Sequence, residues 1–212
     1  MLGVPDRGPA GNGAAAMRRT LAAVALAVLA ITGGMGASCA PEVGTPRVLL
    51  IGDSLSVGAR DQGELGATDA AGWTVDAQVN RGTNVGVATA SSYDVRSFDV
   101  VVVALGTNDY LDDKSTYGVR IDNMMKVLGK TTPVIWVNVD AGEPRLGAAA
   151  LGVNPAIASA PLRHRNLTAA DWSSFVGARW DLPGLRATDG IHYTKAGYDV
   201  RARWLESLVV RH

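Results

Sequence analysis

Cysteine occurs once, at Cys39, which excludes an intrachain disulfide and a cysteine-built metal cluster. Histidine occurs three times, at His164, His192 and His212, so no multi-histidine metal site is expected, and any catalytic imidazole comes from this short set. Neither sign of charge is in excess: 20 Lys and Arg face 20 Asp and Glu. A dedicated nucleic-acid binder carries a basic surplus, so no nucleic-acid partner is expected. Phe, Trp and Tyr make up 6% of the chain, which leaves little from which to build a large apolar groove. Neither a P-loop nor a GxGxxG pattern occurs, and there are no internal repeats. What is present, 212 residues with 47% hydrophobic and 19% charged, describes one soluble domain with a small appendage.

The appendage is residues 1–40. A Gly, Pro and Ala-rich start is followed by Met17-Arg18-Arg19, an uncharged run whose most apolar part is residues 21–31, and small residues leading to Cys39. A basic start, a short apolar stretch and a small-residue tail make an export signal, and Met17 is an alternative first residue. Gly36-Ala37-Ser38-Cys39 resembles a bacterial lipoprotein cleavage box, with Gly36 where Leu is usual, and would make Cys39 a lipid attachment point. Ordinary cleavage near Ala40, an uncleaved anchor and a disordered cytosolic tail are the other readings. The leader holds Arg7, Arg18 and Arg19 against Asp6, so residues 41–212 carry seventeen basic and nineteen acidic groups, a net charge of −2. This part is large enough for its own core.

Along the domain, Arg47-Val48-Leu49-Leu50-Ile51 reads as a strand buried on both faces. The clearest strand is 99–105, where four consecutive valines favour extended structure; 73–79 and 133–139 are two more. Tyr117, Ile121, Met124, Met125 and Leu128 recur at helical spacing before a Gly129 stop, with the methionine pair in the core. A closing helix covers 194–209, and 56–66 and 84–92 are further helical segments. Strands alternating with helices give an α/β fold with a parallel sheet covered on both sides. The Ala, Gly and Pro-rich stretch 142–161 is left unassigned; it follows a strand, where such folds place ligand-binding loops.

Three loop blocks carry chemistry. Gly52-Asp53-Ser54-Leu55-Ser56 follows the first strand and would place a serine hydroxyl at a positive helix terminus, suited to attack on a carbonyl. The alternative is that Asp53 or Ser54 only caps the helix. Leu105-Gly106-Thr107-Asn108-Asp109 ends the strongest strand on the same sheet edge, where the Asn108 amide can donate to a developing oxyanion; a plain turn is the alternative. In Asp189-Gly190-Ile191-His192 the carboxylate can bend back through Gly190 to the imidazole and fix its tautomer, so that His192 takes the Ser54 proton. His164 lies between Arg163 and Arg165, where a proton is disfavoured, and His212 ends the chain.

These blocks resemble those of the SGNH hydrolases, the GDSL esterase and lipase superfamily. The match runs over residues 47–209. The resemblance implies a flavodoxin-like three-layer α/β/α sandwich with a central parallel sheet. It implies a serine esterase without cofactor or metal: Ser54 as nucleophile, His192 as general base, Asp189 orienting it. The oxyanion would be held by the Ser54 and Gly82 N–H groups and the Asn108 amide, with Gly82 of Asn80-Arg81-Gly82-Thr83 fitting the second block. The expected protein is a monomeric exported esterase, free or lipid-anchored at the cell envelope, acting on short-chain, lipid or acetylated-glycan esters. O-acyl transfer to an envelope glycan by the same triad is one alternative, a non-catalytic binding domain another. Tyr110, Trp180 and Tyr193 are candidate pocket walls, and Arg145, Arg163 and Arg165 candidate contacts for an anionic substrate or membrane face.

Overall fold

The computed structural model describes residues 44–67, 72–142, 144–179 and 181–209. The leader with Cys39, Trp180, His212 and the Arg145 side chain lie outside the described residues.

Five parallel strands form one sheet: β1 (Arg47–Gly52), β2 (Gly72–Ala77), β3 (Val100–Ala104), β4 (Val134–Val137) and β5 (Leu167–Ala170), in the order β2-β1-β3-β4-β5. β3 is buried at every position, as is β4, and β1 at all but its first residue. That is why these three read as continuous apolar runs rather than alternating ones. Side chains alternate across the sheet. Leu49, Ile51, Val101 and Val103 pack under α2 (Thr83–Ala90), α3 (Lys114–Leu128) and α4 (Pro144–Ser159). Val48, Leu50, Val100 and Val102 pack under α1 (Ser54–Asp61), α5 (Trp172–Gly177) and α7 (Lys195–Val209), with Leu182 of α6 (Leu182–Leu185) at the margin. Each such side chain contributes about 1.5–3 kcal/mol on burial. The result is the expected flavodoxin-like α/β/α sandwich.

The stretch 142–161 is mostly helix, not an unassigned loop. α4 buries Leu146, Val153, Ala156 and Ile157 despite Pro155 inside it. Asn154 anchors it: its side chain donates to the Val139 carbonyl at 2.8 Å and accepts from the Val139 N–H at 2.9 Å, so the helix is pinned to the end of β4. Tertiary contact here overrides poor intrinsic propensity. β5, Leu-Thr-Ala-Ala, has no strand signal of its own and exists through its pairing with β4. Met124 and Met125 lie in the core, at 0% and 3% exposure.

The strand order reverses direction between β1 and β3, and ligands of open α/β sheets bind at the carboxyl edge of such a switch point. Gly52 pairs with Ala104 there, so the loops after both strands emerge side by side.

Candidate active site

The local fold places Ser54. Asp53 follows β1 in an extended conformation, and its carboxylate accepts from the Leu55 N–H at 3.0 Å, capping α1. Its own N–H bonds the Ala104 carbonyl at 3.3 Å, tying the turn to β3. Asp53 is fully buried, and desolvation raises its pKa against the opposing charge of Arg201. With the cap supplied by Asp53, Ser54 becomes the first helical residue. The cap therefore does not use the Ser54 hydroxyl. Among the described residues no acceptor takes the Ser54 N–H.

His192 reaches Ser54 from the far end of the domain. Its Nε2 lies 3.0 Å from Ser54 Oγ, and its Nδ1 lies 2.6 Å from Asp189 Oδ2. With a carboxylate on Nδ1, that nitrogen carries the ring proton and Nε2 accepts from the serine hydroxyl. The turn holds itself together: Asp189 Oδ1 accepts from the Ile191 and His192 N–H groups at 2.9 Å each. Gly190 sits at φ +75°, a conformation that side chains resist. An antiparallel bridge between Arg186 and Tyr193 closes the base of the loop.

Hydrogen bonds from His192, then from the backbone N–H groups, hold the Asp189 carboxyl down at about 2. A depressed carboxylate stabilises the fold above its unfolded pKa, about 3.9, and that contribution disappears as pH falls toward 2. Asp189→Asn is therefore expected to be less stable than the parent at pH 6, with the gap closing between about pH 4 and pH 2. Urea titrations across that range test this; a gap independent of pH refutes it. Asp189 stays ionised at any working pH above this window.

The groups expected to hold an oxyanion come from two further loops. Asn108 follows β3, and its Nδ2 donates one hydrogen to the Arg81 carbonyl at 3.1 Å, leaving the second available. Gly82 is the N-cap of α2, directly after that carbonyl, and no acceptor among the described residues takes its N–H. Gly106 at φ +130° turns the chain after β3. A Cβ there would meet Val153, Val139 and the Tyr117 hydroxyl at 2.8–3.0 Å. Asn80 also has positive φ, +62°, tolerable for Asn.

Two side chains that local spacing does not reveal lock this geometry. Asp109 is buried; it accepts from the Thr83 N–H at 2.9 Å, the Thr83 hydroxyl at 2.7 Å and Arg120 Nη1 at 2.6 Å. It thereby clamps the residue after Gly82 to the residue after Asn108. Arg81, also buried, donates to the Asp76 carbonyl at 2.6 Å and carboxylate at 2.8 Å. Asp109 adjoins Asn108 in its block, but its cation lies eleven residues further on and its hydroxyl partner twenty-six residues back.

A cavity of about 420 Å³ opens on the pair, lined by Ser54, Asn108, Tyr110, Leu146, Ile191 and His192 among others. Tyr110 is thus a wall. Tyr193 directly follows His192 but is buried, accepting from Trp172 Nε1 at 2.8 Å and donating to Asp140 at 3.0 Å. His164 is elsewhere, 2.7 Å from Asp122, to which Arg163 also donates. Among the described residues no cluster of acidic, His or Cys side chains is arranged for a metal ion, and no helix is long and apolar enough to cross a membrane.

Compared by sequence, the chain matches no protein-family model and no curated protein. Compared by structure, it is similar to a member of the lipolytic protein G-D-S-L family from Veillonella parvula. The TM-score is 0.64 at 13% identity, over 78% of this chain and 99% of that one. It is similar to the lipase/acylhydrolase from Enterococcus faecalis, with TM-score 0.62 at 20% identity over 79% and 94%. It is also similar to the catalytic domain of peptidoglycan O-acetyltransferase A from Streptococcus pneumoniae, with TM-score 0.62 at 20% identity over 77% and 92%. The fold is that of the SGNH, or GDSL, hydrolases.

Proposed function

We propose that this chain is an exported serine esterase that cleaves short acyl esters through an acyl-enzyme. The observation that carries the reading is the unbroken relay Asp189–His192–Ser54, at 2.6 and 3.0 Å, beside two backbone N–H groups and an amide with donors to spare.

In this reading Ser54 Oγ attacks the carbonyl carbon while its proton passes to His192 Nε2. Asp189 stabilises the imidazolium that forms. The carbonyl oxygen becomes an oxyanion between the Ser54 and Gly82 N–H groups and the Asn108 amide, worth roughly 10²–10³ in rate per donor. Collapse expels the alcohol, which takes the proton back from His192. Water then enters, His192 accepts its proton, and the acid leaves as Ser54 recovers its hydrogen. These steps call for no cofactor. An alcohol in place of water would give acyl transfer, and the products formed with and without a glycan acceptor distinguish the two.

The modest cavity, walled by Leu146, Ile191 and Tyr110, supports short acyl groups. The basic, apolar and small-residue order of residues 17–39 supports export, with lipidation at Cys39 or cleavage near Ala40; the mass of the mature chain separates them. The decisive experiment is reaction of the full-length protein with a fluorophosphonate and mapping of the adduct by mass spectrometry. Label on Ser54 is expected; label on no serine, or on another, overturns the proposal.

A further inference from the structure

Two cavities meet at the Ser54–His192 pair. Besides the one of about 420 Å³ beside Asn108, a second of about 260 Å³ is lined by Ser54, His192, Val57, Asp61, Gln62 and Val79 among others, with the buried rings of Tyr193 and Tyr198 at its base. Only Ser54 and His192 belong to both.

An ester has two halves that diverge from the carbonyl carbon. With that carbon on Ser54 Oγ and its oxygen toward Asn108, one half lies in each cavity. The chemistry of the walls separates them. Leu146, Ile191 and Tyr110 give the larger cavity an apolar lining beside the oxyanion donor. The smaller one presents a carboxylate and a carboxamide, from consecutive residues at the end of α1. At about 260 Å³ it falls below the span of drug-sized sites, roughly 300–1,000 Å³, which suits one ring rather than a chain.

The charges around it are matched. Arg60 donates to both Asp61 oxygens, at 2.6 and 3.2 Å. Lys195 Nζ bonds the Gln62 carbonyl and Asp199, each at 3.1 Å. Among the described residues around it, no uncompensated cation remains to select a phosphate and no uncompensated anion to select an ammonium. Each Asp61 oxygen keeps a lone pair beyond its bond to Arg60, and the Gln62 amide can donate and accept. That is a set of partners for hydroxyl groups.

Resting on the esterase reading, we propose that the smaller cavity is the subsite for the alcohol half of the substrate, and that it takes a neutral polyhydroxyl ring, a sugar. Asp61 accepts from one hydroxyl and Gln62 bonds another, which holds the ester oxygen at His192 Nε2. When the bond breaks, the proton from Ser54 passes through His192 to that sugar oxygen.

The test is kcat/KM of the full-length protein and of Asp61→Ala, Gln62→Ala and Leu146→Phe on two pairs of esters. One pair varies the alcohol, a methyl glucoside acetate against ethyl acetate. The other varies the acyl chain, p-nitrophenyl butyrate against acetate. Losing one such hydrogen bond is expected to lower the preference for the sugar ester about tenfold in Asp61→Ala and several-fold in Gln62→Ala. Acyl-length preference should respond to Leu146→Phe instead. The subsite is overturned if both α1 variants keep the parent's sugar preference, if they shift acyl-length preference instead, or if the parent prefers acetylcholine to the sugar acetate. A parent that cleaves none of these esters overturns the esterase reading and the subsite together; a parent that cleaves them without any of the expected shifts overturns the subsite alone.

Discussion

Ser54→Ala is expected to lower kcat on a p-nitrophenyl ester by about 10⁴–10⁶-fold without lowering the melting temperature. The hydroxyl is the only group lost. Asp53, not Ser54, caps α1, so the helix keeps its N-terminal hydrogen bond. His192→Ala should cost nearly as much, because an uncharged hydroxyl without its base is a poor nucleophile. The double variant should be scarcely worse than either single one, since the pair acts as a unit. Steady-state rates on purified, folded protein decide the matter. Residual activity above about one per cent in Ser54→Ala would remove it from the nucleophile's role.

The second large effect is expected at Asp109, which touches no substrate. Asp109→Asn keeps the shape but turns an acceptor of three hydrogen bonds into a group that must point an N–H at another donor. Arg120 retains Asp112, at 2.6 Å, and is a quarter exposed, which limits the loss. Replacing a buried carboxylate so that its charged and neutral donors are left unsatisfied still costs about 2–4 kcal/mol. For a domain of this size that lowers the melting temperature by roughly 5–15 °C. The Thr83 and Asn108 loops then lose their common clamp, so kcat should fall about tenfold to a hundredfold at a temperature where the variant is fully folded, with KM little changed. Affinity for a boronic acid that mimics the tetrahedral intermediate should weaken in step. If stability falls and kcat in the folded variant does not, Asp109 serves the fold alone.

These two sites differ in how far they were readable beforehand. Ser54, Asn108, Asp189 and His192 stand in short blocks at element ends, and each block states its own turn chemistry: a cap, a glycine at positive φ, a carboxylate bending back over three residues. The strands before Ser54 and Asn108, β1 and β3, and their neighbour β4 stand out as uninterrupted apolar runs because both faces are covered. By contrast, β5 is Thr and Ala between buried ends, and only its partner makes it a strand. α4 mixes Gly, Ala and Pro, and only the core below it and the Asn154 anchor make it a helix. Asp109 with Arg120, and Arg81 with Asp76, are pairings fixed by where whole loops meet, which no local spacing encodes. The expected spans 56–66 and 73–79 differ by a few residues from α1 at Ser54–Asp61 and β2 at Gly72–Ala77, and β2 stops where its partner β1 stops, Ala77 opposite Gly52.

Ser54 and His192 are 138 residues apart, one just after β1, the other in the last loop before α7. Closing so wide a loop is among the slower events of folding. Until that loop docks, Ser54 is an ordinary alcohol, with no imidazole beside it. In the esterase reading the three-dimensional arrangement is a latch on reactivity: the pair exists only when the first and last parts of the domain have met, so any activity would itself report that folding is complete.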